Sequence, residues 1–395
     1  MALIRHLSGP QPIGAARGVS ARAVMQLPRS VLARIAGRPI LINGRTLDPE
    51  MQLLLKLQHL EGPAAETVAI SRGRQIIVSS SRLAGGNQPI GAVTDRTIDG
   101  PGGPLALRFY TPRGLTGRSP ALLFFHGGGW IYGDLESHDA TCRFLAEEAQ
   151  VRVVAVDYRL APEAPFPAAV DDAMAAWAWI VEHAQGLAID PERIAVGGDS
   201  AGGNLAAIVA QQTVAAGGPS PAFQLLIYPA TDFAVTHPSR LTYSDGFFLT
   251  KAFMDLAEEN YLVGDEDRKD PRLSPLYGEV AGVAPAYVVT AGFDPLLDEG
   301  NAYADKLPGG RRAGRARDRG RSDPRLHQHG RTRPHRPQGV PPGGRRPPTR
   351  PHPPPLTRWL RPPEEVVLAP RGGASRPPEG DNPLAGGRQL PPQRV

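Results

Sequence analysis

The feature that most constrains this chain is the pentapeptide Gly198-Asp199-Ser200-Ala201-Gly202, which follows the apolar run Ile194–Gly197 and opens a helical pattern from Asn204 to Gln212. A chain that leaves a strand, passes a serine and enters a helix within so few residues makes a tight, strained turn. The flanking glycines leave room for it. Such a turn exposes the serine hydroxyl at the end of the strand. The pattern GxSxG is weak alone, because glycine, serine and alanine are common in ordinary loops. Its place between a strand and a helix distinguishes it from a plain glycine-rich turn.

The surrounding sequence supplies the sheet such a turn needs. Short apolar runs at Leu105–Tyr110, Ala121–Phe125, Val153–Asp157, Ile194–Gly197, Phe223–Tyr228 and Ala286–Thr290 alternate with helical stretches. In one of these, Ala168 to His183, Val170, Met174, Trp177 and Val181 share a face. Strands alternating with helices predict an α/β fold with a mostly parallel central sheet and flanking helices. Residues 1–95 are less regular. Their clearest helix runs from Asp48 to Leu60, with Asp48 placed to cap it and Pro49 at its first position. Leu53, Leu57 and Leu60 form a stripe on it, with Leu54 beside them. No internal repeat is visible.

Two further segments fit acyl-transfer chemistry. The strand Ala121–Phe125 leads into His126-Gly127-Gly128-Gly129-Trp130. When a serine attacks a carbonyl, negative charge develops on the carbonyl oxygen, and glycine N–H groups can approach that oxygen without side-chain obstruction. Gly127, Gly128 and Ala201 are therefore the expected oxyanion donors. The alternative is a flexible turn with His126 as a structural histidine. The second segment is GFDPLLDEG, after the strand Ala286–Thr290. Asp294 stands at a strand's C-terminal end and follows the serine in the chain. It suits the acid that orients a histidine and stabilises its imidazolium. Asp298 and Glu299, one turn on, are expected to serve the N-terminal end of the next helix.

In this order, HGGGW, DYRLAPE (Asp157–Glu163), GDSAGGN and DPLLDEG resemble the bacterial branch of the hormone-sensitive lipase family. The likeness covers about residues 100–306 and is looser over the first 95. It implies an α/β-hydrolase fold with an N-terminal helical cap (residues 1–95) and a catalytic domain (residues 96–307). It implies a carboxylic ester hydrolase, without cofactor or metal, that takes short- to medium-chain acyl esters through an acyl-serine intermediate. Carried over by motif, Ser200 is the nucleophile, Asp294 the triad acid, and Gly127, Gly128 and Ala201 the oxyanion donors. The YRLAPE loop and Asp270–Ser274 read as structural supports. Amide or N-acetyl hydrolysis on the same triad stays open, as do a non-catalytic small-molecule binding protein on this fold and a homodimer.

After Leu307 the family pattern stops. It places a histidine about thirty residues beyond the aspartate, in an HGF context after one more strand, and the serine needs such a base to take its proton. Instead, the 88 residues from Pro308 to Val395 hold 20 prolines, 13 glycines, 19 arginines, six acidic residues and no lysine. Moving every codon boundary by one base allows, with permitted base choices, RAAGVPVEHVTEDGLIHGFINMG for Pro308 through Gly330. A histidine codon then straddles Pro324 and Arg325, and VEHVTE supplies a strand. The tail is accordingly read as a shifted frame that removed the last strand, the last helix and the catalytic histidine. A natural arginine- and proline-rich arm is the alternative. Residues 308–395 cannot bury a core with this composition and are expected to be disordered. His327 and His329 fall within three to five residues of the required place and are the candidate replacement bases. The chain as it stands is expected to be inactive or impaired.

The tail also changes what the charge means. Its nineteen arginines against six acidic residues give +13, which leaves −8 on the rest of a chain that totals +5. The basic surplus that would suggest a nucleic-acid partner belongs to the tail, and none is expected for the body. The single cysteine, Cys142, excludes an intramolecular disulfide and a cysteine metal cluster. No apolar run approaches the length of a membrane span. The arginine-bearing N-terminus lacks a signal peptide's apolar core, so the cytoplasm is the expected location.

Overall fold

The computed structural model describes residues 27–58 and 62–308, and the backbone of 311–313. From the N-terminal side, α1 (Arg29–Ala36), a hairpin of β1 (Leu41–Ile42) and β2 (Arg45–Thr46), α2 (Pro49–Gln58) and α3 (Ile70–Gly85) precede a large sheet. Along the chain the sheet's strands are β3 (Ala92–Gly100), β4 (Gly103–Thr111), β5 (Ser119–Phe125), β6 (Arg152–Asp157), β7 (Ile189–Asp199), β8 (Phe223–Ile227), β9 (Ala286–Val289) and β10 (Arg311–Ala313). Between and beyond them lie α4 (Asp139–Ala149), α5 (Ala168–His183), α6 (Ala201–Ala215), α7 (Pro238–Tyr243), α8 (Lys251–Tyr261) and α9 (Leu297–Lys306).

All six apolar runs of the sequence are strands of this sheet. Its order is β10-β9-β8-β7-β5-β6-β4-β3. From β10 to β6 every pairing is parallel, whereas β4 runs antiparallel to both β6 and β3. Parallel strands covered on both faces are apolar throughout, as the runs FF in β5 and VVAV in β6 require. Successive side chains go to opposite faces. Leu123, Phe125, Val154, Val156 and Val196 meet α5 and α6 on one face, while Leu122, Phe124, Val153, Ala155 and Ala195 meet Cys142, Leu145 and Ala146 of α4 on the other. Helix α6 is nearly enclosed, with twelve of its fifteen residues buried. Glycine permits that approach. A Cβ on Gly198 or Gly202 would collide with the Phe125 carbonyl.

Helix α2 begins at Pro49, and Asp48 Oδ1 accepts the Glu50 N–H at 2.9 Å, as a cap does. Its buried side chains are Gln52, Leu53 and Leu55, so the buried face differs from the expected leucine stripe; Leu60 lies outside the described residues. Leu53 packs on Leu32 and Ala36, while Leu55 joins Leu47, Tyr243, Phe247 and Leu297. The N-terminal segment thus covers the end of the sheet where α7 and α9 stand. No described helix is long and apolar enough to cross a membrane.

A lost last strand would leave β9 with an open edge. Instead β10 pairs with β9 in register, Arg311 against Tyr287 and Ala313 against Val289. A strand ladder is made by backbone groups, so side-chain pattern alone does not forbid it. The approach is set by buried Leu307 and by Lys306, whose Nζ donates to the carbonyls of Leu276 and Gly278. The final helix, the rest of the arginine-rich tail, and His327 and His329 lie outside the described residues.

Candidate active site

The C-terminal ends of β5, β7, β8 and β9 share one edge of the sheet, with Phe125 level with Gly198 and Asp199 level with Ile227. Ligands of open α/β sheets bind beyond this edge. The loops that leave it carry the motifs singled out above.

Ser200 sits between β7 and α6 at φ 54°, ψ −117°. The left-handed region is unfavourable for a residue with a Cβ. The turn is held from several sides. Ser200 N–H donates to the Ile227 carbonyl at 2.9 Å, while its own carbonyl accepts from Asn204 N–H at 3.0 Å and Ala230 N–H at 3.2 Å. Asn204 Nδ2 reaches the carbonyls of Ala230 and Leu273, which fastens two more loops to α6. Ser200 is half-buried.

The glycine loop after β5 is fixed at its first residue. Gly127 N–H donates to Asp199 Oδ1 at 3.0 Å, and the His126 carbonyl accepts the Tyr158 hydroxyl at 2.7 Å. The His126 ring stacks on Tyr158, with centroids 4.2 Å apart, and is a buried structural histidine. Trp130 stacks on Tyr261, 4.6 Å away. Gly128 and Gly129 both have positive φ, 126° and 62°, as a sharp reversal requires. The motif alone predicts that Gly127 aims its N–H at a substrate oxygen. That donor is already committed to Asp199. Among the described residues, the N–H groups of Gly128, Gly129 and Ala201 have no acceptor. The sequence motif alone does not single out Gly129 as an unengaged donor. The available signal is Asp199, whose carboxylate one residue before the serine needs a donor.

Asp294 follows β9 and is half-buried. Its Oδ1 accepts the Leu296 N–H at 2.9 Å. Burial pushes its carboxyl up to about 6, offset in part by that hydrogen bond, and no cation pairs with it among the described residues. Asp298 and Glu299 do lie in the first turn of α9, but they bond elsewhere. Asp298 Oδ2 accepts the Ser239 N–H at the start of α7. Glu299 is fully buried, accepts the Thr231 N–H at 2.8 Å, and meets Arg240 at 3.2 Å. Of the three, only Asp294 stands in the loop between the C-terminal end of β9 and α9. The YRLAPE segment is a brace: Arg159 grips buried Asp172 through its backbone N–H, Nε and Nη2, and Glu163 meets Arg74 of α3. Ser274 Oγ likewise accepts the Phe233 N–H and donates to the Arg268 carbonyl.

Known proteins resemble this chain in sequence and fold. A family described as alpha/beta hydrolase fold matches residues 122–317. Carboxylic ester hydrolase LipN of Mycobacterium tuberculosis is 46% identical over 294 residues, which cover 72% of this chain and 77% of that one. Ethyl acetate hydrolase of Pseudomonas putida is 40% identical over 275 residues, 66% of this chain and 86% of that one. The solved structure of the ester-hydrolase EH1AB1, from the metagenome of Lake Arreo, is 43% identical with a TM-score of 0.64, and the match covers 68% of this chain and 85% of that one. Fold, motif order and relatives agree: the chain belongs to the hormone-sensitive-lipase-like esterase family of α/β hydrolases.

Proposed function

We propose that this chain is a carboxylic ester hydrolase in which Ser200 is the nucleophile, Asp294 the triad acid, and the N–H groups of Gly128, Gly129 and Ala201 the oxyanion donors. The observation that carries the reading is the strained Ser200 turn on the same sheet edge as three unengaged backbone N–H groups. In the reaction, Ser200 Oγ attacks the ester carbonyl carbon while a base removes its proton, and the carbonyl oxygen becomes an oxyanion that the three N–H groups stabilise. Collapse of this intermediate expels the alcohol, which takes the proton back from the base. Water then releases the acid from the acyl-serine by the same steps. Small short- to medium-chain acyl esters are the substrate class that the family likeness and the names of the relatives support.

The base is the missing part. We read the tail after Leu307 as a shifted frame, with the required histidine encoded across Pro324 and Arg325. The 395-residue chain then keeps the donors but lacks an aligned base, and its turnover is that of a triad knock-out. Hydrolysis of p-nitrophenyl butyrate by this chain and by a frame-restored one tests both claims. The restored chain is expected to be faster by about 10³-fold or more, and Ser200→Ala in it should remove that gain. Equal rates for the two chains would overturn the frame reading, and full activity in Ser200→Ala would overturn the serine mechanism.

A further inference from the structure

His138 stands at the N-terminal end of α4, close behind the glycine loop. Its Nε2 lies 3.3 Å from Asp199 Oδ1, the same oxygen that accepts the Gly127 N–H. Its Nδ1 lies 3.0 Å from Ser137 Oγ. That hydroxyl is already engaged, since it donates to the Asp134 carbonyl at 3.0 Å and accepts the Asp134 N–H at 2.9 Å. A serine hydroxyl has one proton to give; while it gives it to the Asp134 carbonyl it accepts from His138, whose Nδ1 then carries a hydrogen. A carboxylate also only accepts, so Nε2 must carry one too. In that arrangement both ring nitrogens face acceptors, which an imidazolium satisfies.

The groups around the ring agree with that charge. Asp199 faces it from the end of β7 and Asp134 from the preceding loop. On α4 itself Asp139 is occupied by Arg143, with Arg108 of β4 at 3.9 Å, and the Cys142 thiol is kept protonated by burial. The His126 ring, 5.4 Å away at the end of β5, is neutral: burial pulls it down to about 4, and the charge on His138 adds to the effect. Burial works against the His138 charge as well, but there Asp199 outweighs it and the ring titrates above its ordinary value. Asp199 in turn stays below the ordinary carboxylate value, since His138 and the Gly127 N–H together outweigh its burial.

We propose that His138 is a positioning residue: as an imidazolium it holds the Asp199 carboxylate on the Gly127 N–H, and this sets the glycine loop so that the N–H groups of Gly128 and Gly129 stay free for the substrate's carbonyl oxygen. The role rests on the ester-hydrolase reading of that loop. Gly127 has no side chain of its own to anchor it, and a Cβ there would run into the Asp199 carboxyl. The two positive-φ glycines after it can reverse easily, so the Gly127 hydrogen bond decides which way their N–H groups face. The clamp is complete while the ring is charged and loosens as pH rises through the ring's raised titration point.

Proton–nitrogen correlation spectra of the full chain, labelled in histidine and glycine and recorded from about pH 5.5 to about pH 10, test this. One ring is expected to keep both nitrogens protonated to higher pH than an exposed imidazole does. The N–H signals of Gly127, Gly128 and Gly129 should shift at that ring's midpoint. His138→Gln should abolish both the ring signal and the glycine step, and leave Gly197 within β7 unmoved. Ser137→Ala, a milder change, should lower the midpoints of ring and glycines together. A ring that titrates like an exposed imidazole, or a glycine step that survives His138→Gln, overturns the proposal. These spectra need no turnover, so their result is separate from that of the Ser200→Ala comparison.

Discussion

Burial holds the Asp294 carboxyl at about 6, and the Leu296 N–H offsets only part of that cost. The native chain therefore binds this proton more tightly than the unfolded chain, where the carboxyl titrates near 3.8. With a raised acid, stability falls as pH rises from about 4 to about 6. Asp294→Asn removes the ionisation, so its urea-unfolding free energy at pH 7 should exceed the parent's by about 1–2 kcal/mol, a figure discounted for remaining solvent contact. Near pH 4 the two should agree. A variant less stable than its parent at pH 7 would mean that a cation pairs with Asp294 after all. In the frame-restored chain the same substitution should cost about 10⁴ in kcat, through the wrong histidine tautomer. At this scale Ser200, Ala201, Gly128 and Asp294 are legible in the sequence as candidates for the proposed site, because each sits in a motif next to a strand end. Gly129 and His138 are not. Which glycine N–H is taken depends on the Asp199 contact, formed between residues 72 apart in the chain.

Among the elements, α3 shows how the N-terminal segment is attached. Arg74 Nε donates to the Ile131 carbonyl at 2.9 Å and Nη2 to the Ala161 carbonyl at 2.9 Å, while Nη1 and Nη2 meet both Glu163 oxygens. The ion pair is the weaker part, because the Glu163 side chain is 65% exposed against 28% for Arg74. Arg74→Ala leaves two carbonyls behind the glycine loop without their charged donor and should cost about 2–3 kcal/mol in chemical denaturation. Glu163→Ala should cost less than about 1 kcal/mol. Arg74→Lys should recover little, since one ammonium cannot span the fork. Equal losses at Arg74 and Glu163 would put the weight on the ion pair instead. The central strands are legible in the sequence because burial on both faces makes them continuous apolar runs. Strand β3 is not, because it is an edge strand whose only buried side chain is Ile98. The first residues of β7 escape for a similar reason: Asp190, Pro191, Glu192 and Arg193 carry no apolar signal.

For the whole molecule, the core that the sequence predicts is complete up to Leu307, and the residues beyond it determine how the sheet ends. The β9 edge is covered by β10, which contributes backbone hydrogen bonds but belongs to a segment with no apolar face. A ladder of three residues is worth about 1–3 kcal/mol at ordinary net values per hydrogen bond. Two truncations isolate it. A chain ending at Ala313 should melt cooperatively and close to the full chain. One ending at Pro308 should melt a few degrees lower, since about 1 kcal/mol moves the midpoint of a domain this size by about 2–4 °C. The Pro308 truncation should also aggregate faster on heating, because β9 then presents unpaired N–H and carbonyl groups as a template. The frame-restored chain should melt above both, because a strand and helix with apolar faces bury surface at about 25 cal/mol per Å², which an arginine-rich segment cannot match. Identical melting of the Pro308 and Ala313 truncations would show that β10 adds nothing to the sheet, and identical melting of the full and frame-restored chains would remove the physical case for a lost C-terminal element.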